Sequence, residues 1–405
     1  DAVQNVLHRM LGVVDVRVDT GSGADTDARL SVVTWPAYTE MRTRVFEGRE
    51  AVAETAGGLA APPSRELLHL SARDLATFGL IENRGSIVIA GLMGLLWEAG
   101  IGERLVEQYA GETAAEGGLL RDLVTGSASG DLFWQRVAIV ALVVLGALLV
   151  IRLLSIALVF IRLHGFHVVR IGEDLRAEYG LFTRVSATIP LRRIQTLTVS
   201  EGILHRLFGR SSIRVDTAGG EGRQGGTSRR ESLAPVIDTA AVPAFIREVL
   251  PELDLGSVEW HAPASGAFAR ELRRRILVAG IISLVAAYFW QWQAVFVFAA
   301  LGSWGTLAAS RYVSHLGWAR IDGAVIFRSG WLSRHTTIAR FTRIQSVEMW
   351  QTPFDRRWSM ARVGVDTAGA SAGSHRVQVP YLTLDTADAL YRDVSAAAAG
   401  TAFHW

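Results

Sequence analysis

Apolar positions along this chain follow two patterns. Four stretches are almost continuously apolar: 86–97, 137–161, 276–290 and 294–309. Crossing the hydrocarbon core of a bilayer takes about 20 apolar residues. Residues 137–161 therefore predict a full span, interrupted by Arg152 toward its Arg162 end, where a long side chain can reach the headgroups. Residues 276–290 and 294–309 predict a helical hairpin turned by Trp290-Gln291-Trp292-Gln293, and tryptophans at such a turn suit the membrane surface. Residues 86–97 are short for a span; they fit either a crossing lengthened by 78–81 or an interfacial helix.

Elsewhere, short apolar runs alternate with polar residues. In 163–256 the runs 166–171, 175–179, 185–189, 194–199, 211–216 and 233–237 read as strands, separated by turn signals such as Gly172-Glu173-Asp174 and Gly180. A helical turn at 203–208 interrupts them and a helix follows over about 240–250. The same order returns in 311–400, with a closing helix near 385–398. Ahead of all this, 14–18 and 29–33 read as strands and the stretch after Pro36 as a helix. An Ala- and Gly-rich linker containing Pro62-Pro63 leads to a helix over 64–80.

The strand-rich series repeat residue by residue. Val215-Asp216-Thr217-Ala218-Gly219 returns as Val365-Asp366-Thr367-Ala368-Gly369 and, altered, as Val18-Asp19-Thr20-Gly21-Ser22. Adding 150 takes Arg170-Ile171 to Arg320-Ile321, Gly180 to Gly330, and Arg193-Ile194-Gln195 to Arg343-Ile344-Gln345. Subtracting 197 takes Leu204-His205-Arg206 to Leu7-His8-Arg9. One module of about 85 residues, the size of a small domain, is expected twice complete and once as its back half, with residue 1 inside it. The expected order is the end of a first module (1–46), a linker and helix (47–84), a transmembrane pair (85–162) with an acidic outer loop (98–133), a second module (163–256), a linker (257–275), a transmembrane hairpin (276–310) and a third module (311–400). Six or seven strands and one helix describe a small, strongly bent sheet whose open end the helix plugs.

Composition adds orientation and exclusions. Arg270, Arg273, Arg274 and Arg275 precede the hairpin, Arg311 follows it and Arg162 follows the earlier span, which by the positive-inside rule places the modules in the cytoplasm. Half of the residues are hydrophobic, and the mean hydropathy of +0.26 agrees with apolar segments buried in lipid. The net charge of +2 implies no whole-chain attraction to nucleic acid. The chain has no cysteine, which excludes disulfides, thiolate nucleophiles and Cys-ligated zinc. It has no lysine either, so its cationic chemistry is carried by arginine.

Two spans followed by a strand-rich module, with the Arg-Ile-Gln, His-Arg and Val-Asp-Thr-Ala-Gly segments in that order, resemble the bacterial pleckstrin-homology-like domains of membrane-flanked proteins, the YdbT-like family. The resemblance implies an α+β membrane protein with repeated pleckstrin-homology-like barrel or sandwich modules, each capped by a C-terminal helix and separated by transmembrane pairs. It implies a plasma-membrane location, a shorter membrane-flanked partner of the same domain type (YdbS-like), and a link to envelope stress and antimicrobial tolerance. It implies no cofactor.

Catalytic motifs fare poorly. Asp19-Thr20-Gly21 and the two Asp-Thr-Ala-Gly copies superficially resemble the paired triplets of aspartic proteases, but each belongs to a separate module, and a strand running into a turn accounts for them. Gly369-Ala370-Ser371-Ala372-Gly373 matches a nucleophile elbow but precedes a strand rather than a helix. Histidines 164, 167, 205, 315, 335 and 375 lack metal-ligand spacing, and the recurrence of His205 as His8 and then Asp355 reads as a helix-surface position. Basic patches are the stronger signal: Arg192, Arg193, Arg206, Arg210 and Arg214, a loop with Arg223, Arg229 and Arg230, and Arg343, Arg356 and Arg357 in the third module. Beside an anionic leaflet each such arginine gains about 1 kcal/mol; solvated strand edges and cross-module salt bridges are the alternative. Arg193-Ile194-Gln195 fits strand alternation or a module-module contact. The expected function is a non-enzymatic scaffold binding membrane surface or partner, or itself as a homo-oligomer. Export of an amphipathic compound, resting on Arg152, is the other class.

Overall fold

The computed structural model describes residues 2–18, 28–41, 64–82, 130–217, 231–253, 258–367 and 377–400, with positions 44, 91, 94–95 and 98–100. They fall into two units: Asp1–His69 with His167–Glu178 and Val185–Trp405, and Leu70–Phe166 with Tyr179–Arg184. The larger opens with β1 (Ala2–Gln4), α1 (Val6–Met10), β2 (Val13–Val18), β3 (Ala28–Thr34) and β4 (Ser64–His69).

The smaller unit is built on α2 (Ala72–Ile81) and α3 (Gly130–Leu163). The sequence reading expects one helix over 64–80, and the structure corrects this. Residues 64–69 pair as a strand, and the helix starts only at Ser71, whose hydroxyl accepts from the Asp74 N–H while the Asp74 carboxylate accepts from the Ser71 N–H. Gly79 lets α2 approach α3 backbone to backbone, since a Cβ there would lie 2.6 Å from the Ile156 Cα. Arg152 donates to the Leu80 carbonyl at 3.0 Å and Ser155 to that of Glu82 at 2.7 Å, which occupies the loose carbonyls at the end of α2. Within α3, Val137–Leu163 is long and apolar enough to cross a membrane. The apolar run 86–97 lies almost wholly outside the described residues.

The larger unit continues with β5 (His167–Ile171), β6 (Asp174–Tyr179), β7 (Arg184–Pro190), a 3-10 turn (Leu191–Arg193), β8 (Ile194–Glu201), α4 (Ile203–Leu207), β9 (Arg210–Thr217), β10 (Glu231–Asp238) and α5 (Val242–Val249). Then come α6 (Ala267–Trp290) and α7 (Ala294–His315), joined at Gln291–Gln293; the span Gln291–His315 is again membrane-length. After it the earlier order recurs: β11 (Gly317–Ile321), β12 (Ala324–Ser329), β13 (Arg334–Arg340), a 3-10 turn (Phe341–Arg343), β14 (Ile344–Trp350), α8 (Pro353–Arg356), β15 (Met360–Thr367), β16 (Val377–Thr383) and α9 (Leu384–Ala399).

These strands form three antiparallel sheets, in the orders β3-β2-β1-β7-β6-β5-β4, β10-β9-β8-β13-β12-β11 and β14-β15-β16. Each of the two larger sheets is thus shared by two sets of strands, joined at β1 with β7 and at β8 with β13. At the second junction Thr198 lies opposite Thr337 and Ser200 opposite His335, with the Ser200 Oγ and His335 Nδ1 3.0 Å apart. Leu68 pairs with Val168 and His261 with Trp318, so the segment ahead of each helical pair lines the first strand after it.

Alternation packs the cores. Val325, Phe327, Phe341, Met360, Val363 and Val379 face inward, and α9 closes them with Ala387, Leu390 and Val394. Gly180 (φ 114°) and Gly330 (φ 93°) occupy matching turns, where a Cβ would sit 2.0 Å from the Thr183 carbonyl oxygen and 1.9 Å from that of Ser333. Only glycine fits such a backbone. Gly330→Ala is expected to lower the thermal midpoint of the detergent-solubilised chain, whereas Gly146→Ala, in open space on α3, leaves it unchanged or raises it.

Candidate functional site

Two arginine-rich groups stand where α6 and α7 meet the strands of the larger unit. The first is an anchor. Glu271 on α6 is fully buried and accepts from Arg274 Nη2 at 2.7 Å, from Arg275 Nε at 2.8 Å and from the Tyr381 hydroxyl at 2.8 Å. Burial pushes its carboxyl up, but these donors and their charges outweigh it and hold the group below its ordinary value. Tyr381 is raised by burial and by the carboxylate it serves, so it stays a neutral donor, and its backbone takes the strained left-handed conformation (φ 59°). Immediately before Glu271, Arg270 Nε donates to Asp355 at 3.0 Å, while Thr352 and Asp355 cap α8 reciprocally. Asp355 is therefore buried, which corrects its reading as a helix-surface position: it serves an arginine of another element. Arg273 stacks on Trp358 at 4.2 Å. Arg270, Arg274, Arg362, Tyr312, Gln378 and Tyr381 line a cavity of about 290 Å³ beside this network.

The second group is not neutralised. Arg206 on α4, Arg328 at the end of β12 and Arg334 at the start of β13 all act electrostatically on the ring of His315, the last residue of α7. Their three Nε atoms and His315 Nε2 are buried without a hydrogen-bond partner. Among the described residues none of the three arginines forms an ion pair. Arg206 Nη2 donates to the Leu332 carbonyl at 3.2 Å and Arg328 stacks on Trp260 at 4.3 Å. Glu201, opposite Arg334 in the strand register, takes a hydrogen bond from Ser211 at 2.9 Å instead. Burial and then Arg334 push the Arg328 guanidinium below its ordinary value. Orphaned buried donors around clustered positive charge describe a site complementary to an oxyanion.

The arginines expected from the sequence do not form one patch. Arg206 enters the group just described, with Arg328 and Arg334, which sequence reasoning missed. Arg192 and Arg343 are brought together instead with Arg340, which donates to the Leu191 carbonyl at 3.2 Å and pairs with Glu252 at 2.7 Å; burial, Arg340 and Arg192 lower the Arg343 guanidinium. Arg193 sits beside Arg192 on the first 3-10 turn. On β9, Arg210 lies opposite Asp238 and Arg214 opposite Thr198 and Ser232. Arg356 and Arg357 are exposed at the end of α8, and Arg223, Arg229 and Arg230 lie outside the described residues. Gln195 is buried and donates to the Arg193 carbonyl at 3.4 Å. Asp216 accepts from the Thr196 hydroxyl at 2.7 Å and Asp366 from the Thr367 N–H at 3.0 Å, both at strand ends. No group of three His, Asp or Glu side chains among the described residues could hold a metal ion.

Paired strand series whose sheets are closed by a C-terminal helix define the class. The family model for the bacterial PH domain matches residues 120–252 and 274–398, and the chain belongs to that family. It is similar to the UPF0699 transmembrane protein YdbT of Bacillus subtilis (strain 168), with 23% identity over 238 residues, covering 58% of this chain and 47% of that protein. The chain thus spans about half the length of this curated relative. No solved structure matches.

Removing the anchor is the expected route to unfolding. Glu271→Ala strands Arg274, Arg275 and Tyr381 and is expected to cost about 3–5 kcal/mol, read as thermal unfolding of the solubilised chain. Because the folded carboxyl lies below its ordinary value of 4.5, the stabilisation is complete above that pH and fades as pH falls through the lower folded value. Glu271→Gln is expected to flatten that acid limb.

Proposed function

We propose that this chain is a membrane-embedded, non-catalytic protein of the plasma membrane whose bacterial PH modules, lying on the cytoplasmic side, grip anionic phospholipid headgroups and dock on one another and on a shorter partner of the same domain type. The modules are taken as 163–256 and 311–400, with 1–46 as the back half of another, and helical pairs over 85–162 and 276–310 between them. The membrane part is supported by the two membrane-length helices and by the similarity to a transmembrane protein. The observation that carries the headgroup part is the group of Arg206, Arg328 and Arg334 at the end of α7. On this reading the end of a membrane-length helix sets three half-buried arginines, whose Nε atoms have no hydrogen-bond partner and which carry no ion pair among the described residues, at the depth of lipid phosphates. The scaffold part is supported by the shared sheets, and envelope stress is where we place its use. Export is not supported by Arg152, whose guanidinium is engaged with the carbonyl of Leu80.

Anionic lipid that binds the folded chain raises its thermal midpoint, since a ligand at a hundred times its Kd stabilises by about 2.7 kcal/mol. Phosphatidylglycerol in detergent micelles is expected to stabilise the full chain more than phosphatidylcholine does, with the difference shrinking in high salt and vanishing in the Arg328→Gln, Arg334→Gln variant. Equal stabilisation by the two lipids, or an undiminished effect in the variant, overturns the headgroup reading.

A further inference from the structure

We infer that the open edge of β14 is a docking site for one strand of a further bacterial PH module, the strand equivalent to β7 and β13, supplied by a partner chain. The inference rests on reading the chain as a series of such modules and does not depend on the lipid part of the proposal. In both shared sheets the first strand of one set pairs with the third strand of the next: β1 lies against β7, and β8 lies against β13. β14 is the counterpart of β8 at a distance of 150 residues, yet among the described residues it pairs only with β15.

Exposure records the difference. Gln195, Thr196 and Thr198 of β8 are 4%, 6% and 5% exposed under β13, whereas Gln345, Ser346 and Glu348 at the matching places on β14 are exposed. Met349, the counterpart of the buried Val199, is 39% exposed. A row of unpaired backbone donors and acceptors beside exposed apolar surface is a ready template for another strand. The side chains narrow the occupant. Glu348 stands where Thr198 meets Thr337, so the incoming strand carries a hydroxyl or a cation opposite it, and Trp350 stands where Ser200 meets His335. Among the described residues of a second copy, β7 and β13 are each already flanked on both edges, which makes it the poorer occupant.

The absence of cysteine makes the register readable by crosslinking in the full chain. The probe is a synthetic peptide of residues 332–342, the β13 segment, carrying Thr337→Cys. It is expected to form a mixed disulfide with the Glu348→Cys chain under mild oxidation and to lose it when the cysteine is moved to Val347, which points to the other face. A second pair checks the register: Ser346→Cys in the chain with Ala339→Cys in the peptide, after the Thr196–Ala339 pairing. Both chain positions are exposed, so the substitutions leave the fold intact. Absence of both crosslinks, or equal crosslinking from either face, overturns the proposal. Disulfide dimers of Glu348→Cys that form without peptide and block it assign the edge to a second copy instead and overturn the choice of partner.

Discussion

A fully buried carboxylate cannot remain charged unless donors surround it, and Glu271 imposes that condition on the C-terminal half of the larger unit. Its donors come from two places: Arg274 and Arg275 from the same helix, and the Tyr381 hydroxyl from β16. Satisfying the charge therefore fixes the root of α6 against the last sheet. Arg270 on Asp355 and Arg273 on Trp358 repeat the attachment on α8 and its neighbour. The helix is thus held by polar contacts over its first turns and is free to be apolar from residue 276 onward. Since α7 packs antiparallel to α6, its end at His315 is delivered beside β12 and β13. Arg270, Arg274 and Arg275 carry matched acids; among the described residues Arg206, Arg328 and Arg334 do not, and this difference separates a structural cluster from a candidate binding one.

Continuity of sheets is the second organising fact. A strand edge is unstable in isolation, and β1 and β8 find their partners in the strand set that follows them in the chain. The arrangement couples neighbouring regions through backbone hydrogen bonds, which tolerate wide changes of side chain. That tolerance explains how Thr198 and Ser200 can stand where β14 has Glu348 and Trp350.

Much of the local structure was legible. Short β-rich apolar runs between turn signals located the strands from β5 to β10 to within a residue or two, and the 150-residue repeat carried the same order onward. Gly180 and Gly330 were readable as turns, and their matching collisions explain why the residue type recurs. The expected helix over 64–80 starts too early, because an edge strand with one partner has weak patterning at 64–69 and the capping box at Ser71 is the better signal for the helix start. The site was less legible. Nearness in sequence groups the arginines one way, whereas Arg206 meets Arg328 and Arg334 only through the β8–β13 junction, over more than a hundred residues. Arg270 and Arg274 were readable as flanking charge for a span but not as partners of Asp355 and Glu271. The hidden partner was signalled only by acids, one in an arginine-rich helix and one at a position shared with histidine.

The central claim is that arginines without an ion-pair partner among the described residues, at the end of a membrane-length helix, hold a lipid phosphate. An experimental structure of the full chain in a bilayer nanodisc containing phosphatidylglycerol tests it most directly. The account predicts a headgroup phosphate within hydrogen-bond distance of Arg328 and Arg334, with Arg206 and His315 beside it. A well-ordered site in that membrane filled by water alone, or by an acidic side chain of the protein itself, would contradict it.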